Sequence, residues 1–128
     1  MRVLIIDDSK TMRSIERSVL ATFSNMEIEE ASDGQDGLSK AKAFQPELIL
    51  VDSNMPRMDG LTFVRTLRQS DKRTPVLMLA SESEKSRVIE AIKAGVTGYV
   101  VKPFTPDLLN QRVGEILARR SAGLAAAA

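Results

Sequence analysis

Leu48-Ile49-Leu50-Val51-Asp52 is the stretch that decides the fold. An unbroken apolar run of this length, with β-branched Ile49 and Val51, suits a strand covered on both faces, and such strands belong to parallel sheets flanked by helices. The run stops at a carboxylate. The following Ser53-Asn54-Met55-Pro56-Arg57-Met58-Asp59-Gly60 reads as a loop from its Asn, Pro and Gly content.

The same design recurs on either side. Val3-Leu4-Ile5-Ile6 runs into Asp7-Asp8, and Tyr99-Val100-Val101 runs into Lys102-Pro103. Thr74-Pro75 opens another buried strand, Val76 to Leu79, and Met26-Glu27-Ile28-Glu29 alternates as a half-exposed edge strand does. Helical patterns fill the gaps. The first follows Ser9, with Met12, Ile15, Val19 and Phe23 on one face. Asp33-Gly34 starts the second, with Leu38, Ala41 and Phe44 inward, and the third turns Leu61, Val64 and Leu67 inward. Ser83 is expected to cap the fourth, which carries Val88, Ile89 and Ile92 and ends at Gly95. Thr105-Pro106-Asp107 supplies a cap, a first-turn proline and an acid for the last helix, whose buried stripe is Leu109, Val113, Ile116 and Leu117.

Five rounds of strand then helix predict an α/β protein with a parallel sheet, helices on both faces and right-handed crossovers. One domain is expected over residues 1–120, with a flexible tail over 121–128. The 128 residues suffice for one core. A net charge of +1 with dispersed bases gives no bias toward nucleic acid, and no apolar run is long enough to span a membrane. The chain has no cysteine, which removes thiolate chemistry and fits a reducing, cytoplasmic setting. It has no histidine, so chemistry falls to Asp, Glu, Lys, Ser or Thr, and a metal would be a hard cation that prefers oxygen.

Ligands of such sheets bind beyond the carboxyl ends of the strands. Asp7, Asp8, Asp52 and Lys102 all fall at that end. A single Asp after a strand is most often a cap or turn former, but four charged strand ends on one edge are not explained by capping. Three carboxylates against one ammonium leave a net −2. At ~4 Å and an effective dielectric near 20, each like-charge pair costs about 4 kcal/mol. Magnesium answers that cost with few carboxylates and several waters or phosphate oxygens, and beside Lys102 it makes a place for a phosphoryl group. A carboxylate can itself attack phosphorus. Asp52, alone at the end of a middle strand, is the best nucleophile, and paired Asp7 and Asp8 are better metal ligands.

Asp7-Asp8-Ser9, the Asp52 to Gly60 segment and Gly98-Tyr99-Val100-Val101-Lys102-Pro103-Phe104 form a specific set. Through them the chain resembles the receiver domain of bacterial two-component response regulators over residues 2 to about 118, most closely the single-domain chemotaxis regulators. The resemblance implies a flavodoxin-like (βα)5 three-layer sandwich of strand order 2-1-3-4-5. It implies that Asp52 accepts a phosphoryl group from the phosphohistidine of a sensor histidine kinase or histidine phosphotransfer protein. It places Mg2+ on Asp8 directly, on Asp7 mainly through water, on Asp52 and on the Asn54 backbone carbonyl, and pairs Lys102 with phosphoryl oxygens. Asn54 and Glu82 match the positions that flank the attacking water in dephosphorylation. Tyr99 matches a switch aromatic, and a downstream protein partner is implied for the surface of helix 4, strand 5 and helix 5.

One position departs from the family. Where a Thr or Ser hydroxyl is usual at the end of the fourth strand, this chain has Ala80. Ser81 carries a hydroxyl, but neighbouring strand residues point to opposite faces. Losing a charge-assisted hydrogen bond of roughly 1.5–3 kcal/mol would weaken a conformational response without harming the metal site. Two rivals to a signalling module follow: a phosphate sink without output, which Ala80 favours, and a small phosphotransferase or phosphatase with an aspartyl-phosphate intermediate. Against the latter, Asn54 stands where haloacid-dehalogenase phosphatases need a second Asp. The length leaves little room for an effector domain, so output is expected through the receiver's own surface or from a longer protein. Met55, Met58 and Met78 are expected to pack, and Arg112, Arg119 and Arg120 to form a solvated helix face.

Overall fold

The computed structural model describes residues 1–81 and 86–127, with side chains described as far as residue 119. Each expected run becomes a strand: β1 Arg2–Ile6, β2 Glu27–Ala31, β3 Leu48–Asp52, β4 Val76–Ala80 and β5 Gly98–Val101. Between and after them lie α1 Lys10–Leu20, α2 Gly34–Phe44, α3 Gly60–Leu67, α4 Val88–Ala94 and α5 Pro106–Ala127. The strands form one parallel sheet in the order β2-β1-β3-β4-β5. This is the flavodoxin-like arrangement that the resemblance implies.

Strand alternation sorts the core into two layers. Val3, Ile5, Leu48, Leu50, Leu77 and Leu79 pack under α1 and α5 with Val19, Leu20, Leu109, Val113 and Ile116. Leu4, Ile6, Ile49, Val51, Val76 and Met78 pack on the other side with Leu61, Phe63, Val64 and Leu67 of α3 and Ala91 of α4. Met55 and Met78 are buried in that second layer and Met58 packs against it, as expected of gap-filling thioethers.

Local signals set the element ends. Ser9, Asp33 and Asp59 cap α1, α2 and α3 by accepting from the N–H groups of Met12, Asp36 and Thr62. Thr105 Oγ1 accepts from Leu108 N at 3.1 Å, and Gly95, at φ +111°, ends α4 in the left-handed conformation that glycine tolerates. The expected cap at Ser83 lies outside the described residues. Helix α5 continues through Ala127, past the expected start of a flexible tail at residue 121. No described helix is long and apolar enough to cross a membrane.

One helix face differs from expectation, and a second leaves its isoleucines outside the core. In α1 the inward residues are Glu16, Val19 and Leu20, while Ile15 is 38% exposed. The i, i+3, i+4 set ending at Leu20 outcompetes the set containing Ile15, and Phe23 falls beyond the last turn. In α4 the inward residue is Ala91, and Ile89 and Ile92 are 66% and 57% exposed. Ala91 is small enough to let the short helix lie close against α3, and that phase turns both isoleucines outward.

Candidate functional site

The site forms where β1, β3 and β5 end. Asp7 follows β1, and its N–H donates to Ala31 O at 3.0 Å, which extends the parallel ladder by one residue. Asp7 Oδ1 accepts from Ser9 N at 2.9 Å, the turn that opens α1. Arg13 reaches back from α1 and donates through Nη1 to Asp7 O at 2.7 Å and through Nε to Glu30 Oε1 at 2.9 Å. Arg17 donates to Glu30 Oε2 from both Nε and Nη2. The hydrogen bonds from Arg17, with those from Arg13, hold the Glu30 carboxyl below its usual range. This pairing fastens the first turns of α1 to the end of β2.

Asp52 ends β3 and is buried. Lys102 Nζ donates to its Oδ1 at 3.1 Å and lies 3.9 Å from Asp7 Oδ2. The N–H of Asn54 points to Asp52 Oδ1 at 3.4 Å. Behind the loop, Gly60 N donates to Ser53 O at 3.0 Å, and a Cβ on Gly60 would sit 2.4 Å from Asp52 O. Only glycine lets α3 start this close to the strand end.

The four charged strand ends therefore converge. One oxygen each from Asp7, Asp8 and Asp52 lies within 4.8 Å of the others, with Asp7 and Asp52 buried and Asp8 exposed. Burial pushes the Asp7 carboxyl up to about 6; the Ser9 N–H and Lys102 oppose that rise, and Asp52 and Asp8 add to it. Burial also raises Asp52, against the charge and hydrogen bond of Lys102. Asp7 Oδ2 is buried without a hydrogen-bonding partner. Two oxygens on one magnesium stand at most about 4.2 Å apart, twice a ~2.1 Å bond. The trio needs to close by under an ångström, or to keep a water on one ligand. An all-oxygen, partly open, electron-rich donor set with an orphaned oxygen fits that ion.

The remaining expected residues are spread around this centre. Asn54 is exposed, with its N–H directed at Asp52. Ala80 is 4% exposed and lines a small apolar pocket with Ser53, Met78, Val88 and Tyr99. Ser81 is half-buried. Tyr99 is half-buried against the layer that holds Met78 and Ala91. Glu82 lies outside the described residues.

The sequence reading missed Glu16. Its residue is 0% exposed, both carboxylate oxygens lack a hydrogen-bonding partner, and burial, reinforced by Asp7, pushes it well above the usual carboxylate range. Its spacing to Val19 and Leu20 was the available signal, but a charged side chain on that face is ordinarily assigned to solvent.

The comparisons with known proteins agree with this geometry. The family model of the response regulator receiver domain matches residues 3–114. Chemotaxis protein CheY-3 of Vibrio cholerae is 37% identical over 121 residues, covering 93% of each chain. Chemotaxis protein CheY of Pseudomonas aeruginosa is 38% identical over 121 residues, covering 93% of this chain and 98% of its own. Among solved structures, chemotaxis protein CheY4 of Vibrio cholerae superposes with a TM-score of 0.81 at 36% identity, covering 89% of this chain and 96% of that one. The receiver domain of AraT, a response regulator from Geobacillus stearothermophilus, does so with a TM-score of 0.87 at 31% identity, covering 96% and 97%.

Proposed function

Because the chain belongs to the response regulator receiver family, we propose that it is a phosphoryl-accepting signalling module with Asp52 as the acceptor. The observation that carries this reading is the buried Asp52 carboxylate, bonded at 3.1 Å to Lys102 and flanked by Asp7 and Asp8. An Asp52 oxygen attacks the phosphorus of a phosphohistidine, the P–N bond breaks, and an acyl phosphate forms while the imidazole leaves with a proton. The chain has no histidine, so the donor is a separate group on a sensor kinase or phosphotransfer protein.

Asp7, Asp8, Asp52 and the Asn54 backbone carbonyl would hold Mg2+. When bound, that ion supplies charge neutralisation for the phosphoryl oxygens and the crowded carboxylates. The chain's own residues do the rest. Lys102 trades its bond with Asp52 for a phosphoryl oxygen, Ser9 N–H fixes the Asp7 carboxyl, and Asn54 and Glu82 match the family positions that act on the water in hydrolysis of the acyl phosphate.

Output passes to a protein partner through α4, β5 and α5, where Ile89 and Ile92 of α4 stand exposed. The names of the relatives favour a chemotaxis-type pathway, and the cysteine-free chain fits a cytoplasmic setting. Ala80 offers no hydroxyl to the phosphoryl group, so the response of Tyr99 is blunted. The same residue supports a second reading, a phosphate sink that drains a kinase without output.

Incubation with acetyl phosphate and Mg2+, followed by intact-mass analysis, tests the function. One added phosphoryl group in the wild type and none in Asp52→Asn is expected. No adduct in either protein overturns the proposal. A pull-down with and without a phosphoryl mimic separates the signalling module from the sink.

A further inference from the structure

Among the described residues, the buried side-chain oxygens without a hydrogen-bonding partner are Asp7 Oδ2 and both oxygens of Glu16. They belong to neighbouring elements on one side of the sheet. Val3 and Ile5 face the α1/α5 layer, and the ladder continues through Asp7 N, so alternation turns the Asp7 side chain to that same layer. Glu16 faces the sheet from α1, on the stripe that also buries Val19 and Leu20.

A buried carboxyl among aliphatic side chains is costly, and a leucine of similar volume is ordinarily the more stable choice. Glu16 is coupled electrostatically to Asp7, Lys102 and Asp52, the groups of the site. Two carboxyl groups with three orphaned oxygens on facing elements call for a donor between them, and the polar group that fits such a place is a water. We propose that Glu16 is a positioning residue of the cation site, which holds, through a bridging water, the Asp7 oxygen that faces the ion. Glu16 does not touch the reacting atoms. It fixes the orientation of a ligand, as outer carboxylates do at metal centres, where their loss typically weakens binding about 10–100-fold.

This inference rests on the reading of Asp7, Asp8 and Asp52 as a cation site. The test is calorimetric titration of Mg2+ into the full chain, without any phosphoryl donor, for the wild type, Glu16→Gln, Glu16→Leu and Glu16→Met. Gln keeps an oxygen acceptor and an N–H donor at the same place, whereas Leu and Met keep the bulk and neither. Thermal melts in EDTA accompany each protein.

The expected result is that Glu16→Gln binds Mg2+ within about threefold of the wild type, while the apolar variants bind at least about tenfold more weakly. Their melting points in EDTA stay equal to the wild type or rise. A purely structural glutamate would change the melting point and leave the affinity alone. Equal affinity in all four proteins overturns the inference while leaving the cation site standing. An equal loss in Gln, Leu and Met assigns the effect to net charge and overturns the hydrogen-bonding role. No Mg2+ binding by the wild type overturns the cation site and this inference together.

Discussion

Lys102 and Asp52 are joined at 3.1 Å across the end of β4, because β3 and β5 are not neighbours in the sheet. The bond closes the site on one side and holds the Asp52 carboxylate in an orientation that leaves its other oxygen without a bond from Lys102.

Replacing the lysine tests that role. Its charge and its hydrogen bond are the largest influences that lower the Asp52 carboxyl against burial. Lys102→Met is therefore expected to raise the Asp52 carboxyl further, read by a 13C NMR titration of the side-chain carbon. Phosphoryl uptake from acetyl phosphate should fall by about 10–100-fold, the equivalent of one charge-assisted bond of roughly 1.5–3 kcal/mol. An unmoved Asp52 titration would show that the contact is incidental.

Asp7 gives the chain a pH dependence of defined sign. Its folded pKa is about 6 against an ordinary 3.8, so the folded state holds the proton more tightly. The stability that this provides is fully present below 3.8 and is lost as pH rises through about 6, by at most about 3 kcal/mol at 1.36 kcal/mol per unit. Asp7→Asn removes that step. In urea titrations without divalent cation, the variant should equal or exceed the wild type at pH 7, and the gap should shrink toward pH 4. Saturating Mg2+ should stabilise the wild type and leave Asp7→Asn nearly unchanged. Parallel pH curves for the two proteins would contradict the assignment.

The sheet and the charged strand ends were legible because three apolar runs, those of β1, β3 and β5, are unbroken and stop at a charge. Leu48 to Asp52 admits few other readings once Val3 to Asp8 and Tyr99 to Lys102 repeat its pattern. Capping chemistry was equally direct at Ser9, Asp33 and Thr105. Helix phase was harder to read. The hydrophobic pattern groups Ile15 with Met12, Val19 and Phe23, yet Leu20 and Ala91 set the rotation of α1 and α4 through close packing, a property of the partner surface, and leave Ile15, Ile89 and Ile92 exposed. Glu16 was hidden by the same rotation and by its charge.

Gly60 should tolerate no side chain. A Cβ there would press on Asp52 O at 2.4 Å and Ser53 Cα at 2.8 Å, both backbone atoms that cannot swing aside. Gly60→Ala is expected to cost about 1–3 kcal/mol in chemical unfolding, the usual range for overpacking, and to slow phosphorylation by displacing Asp52. Wild-type stability and rate in this variant would show that the strand end is not fixed by that contact.

The exposed isoleucines of α4 make the opposite prediction. Ile89 and Ile92 are 66% and 57% exposed, so Ile89→Ser with Ile92→Ser should change folding stability by no more than about 0.5 kcal/mol per site. Phosphorylation should be unaltered, while capture of a partner by the protein carrying a phosphoryl mimic should drop. Undiminished capture would remove this face from the output surface.

In the proposed function the phosphoryl group resides on the β3 carboxylate. Reduction of the phosphorylated protein with borohydride converts an aspartyl phosphate to homoserine, which peptide sequencing by mass spectrometry locates. Homoserine is expected at position 52 alone, dependent on Mg2+ and absent from Asp52→Asn. Homoserine at position 7 or 8, or a stable phosphoryl group on a hydroxyl residue, would contradict it.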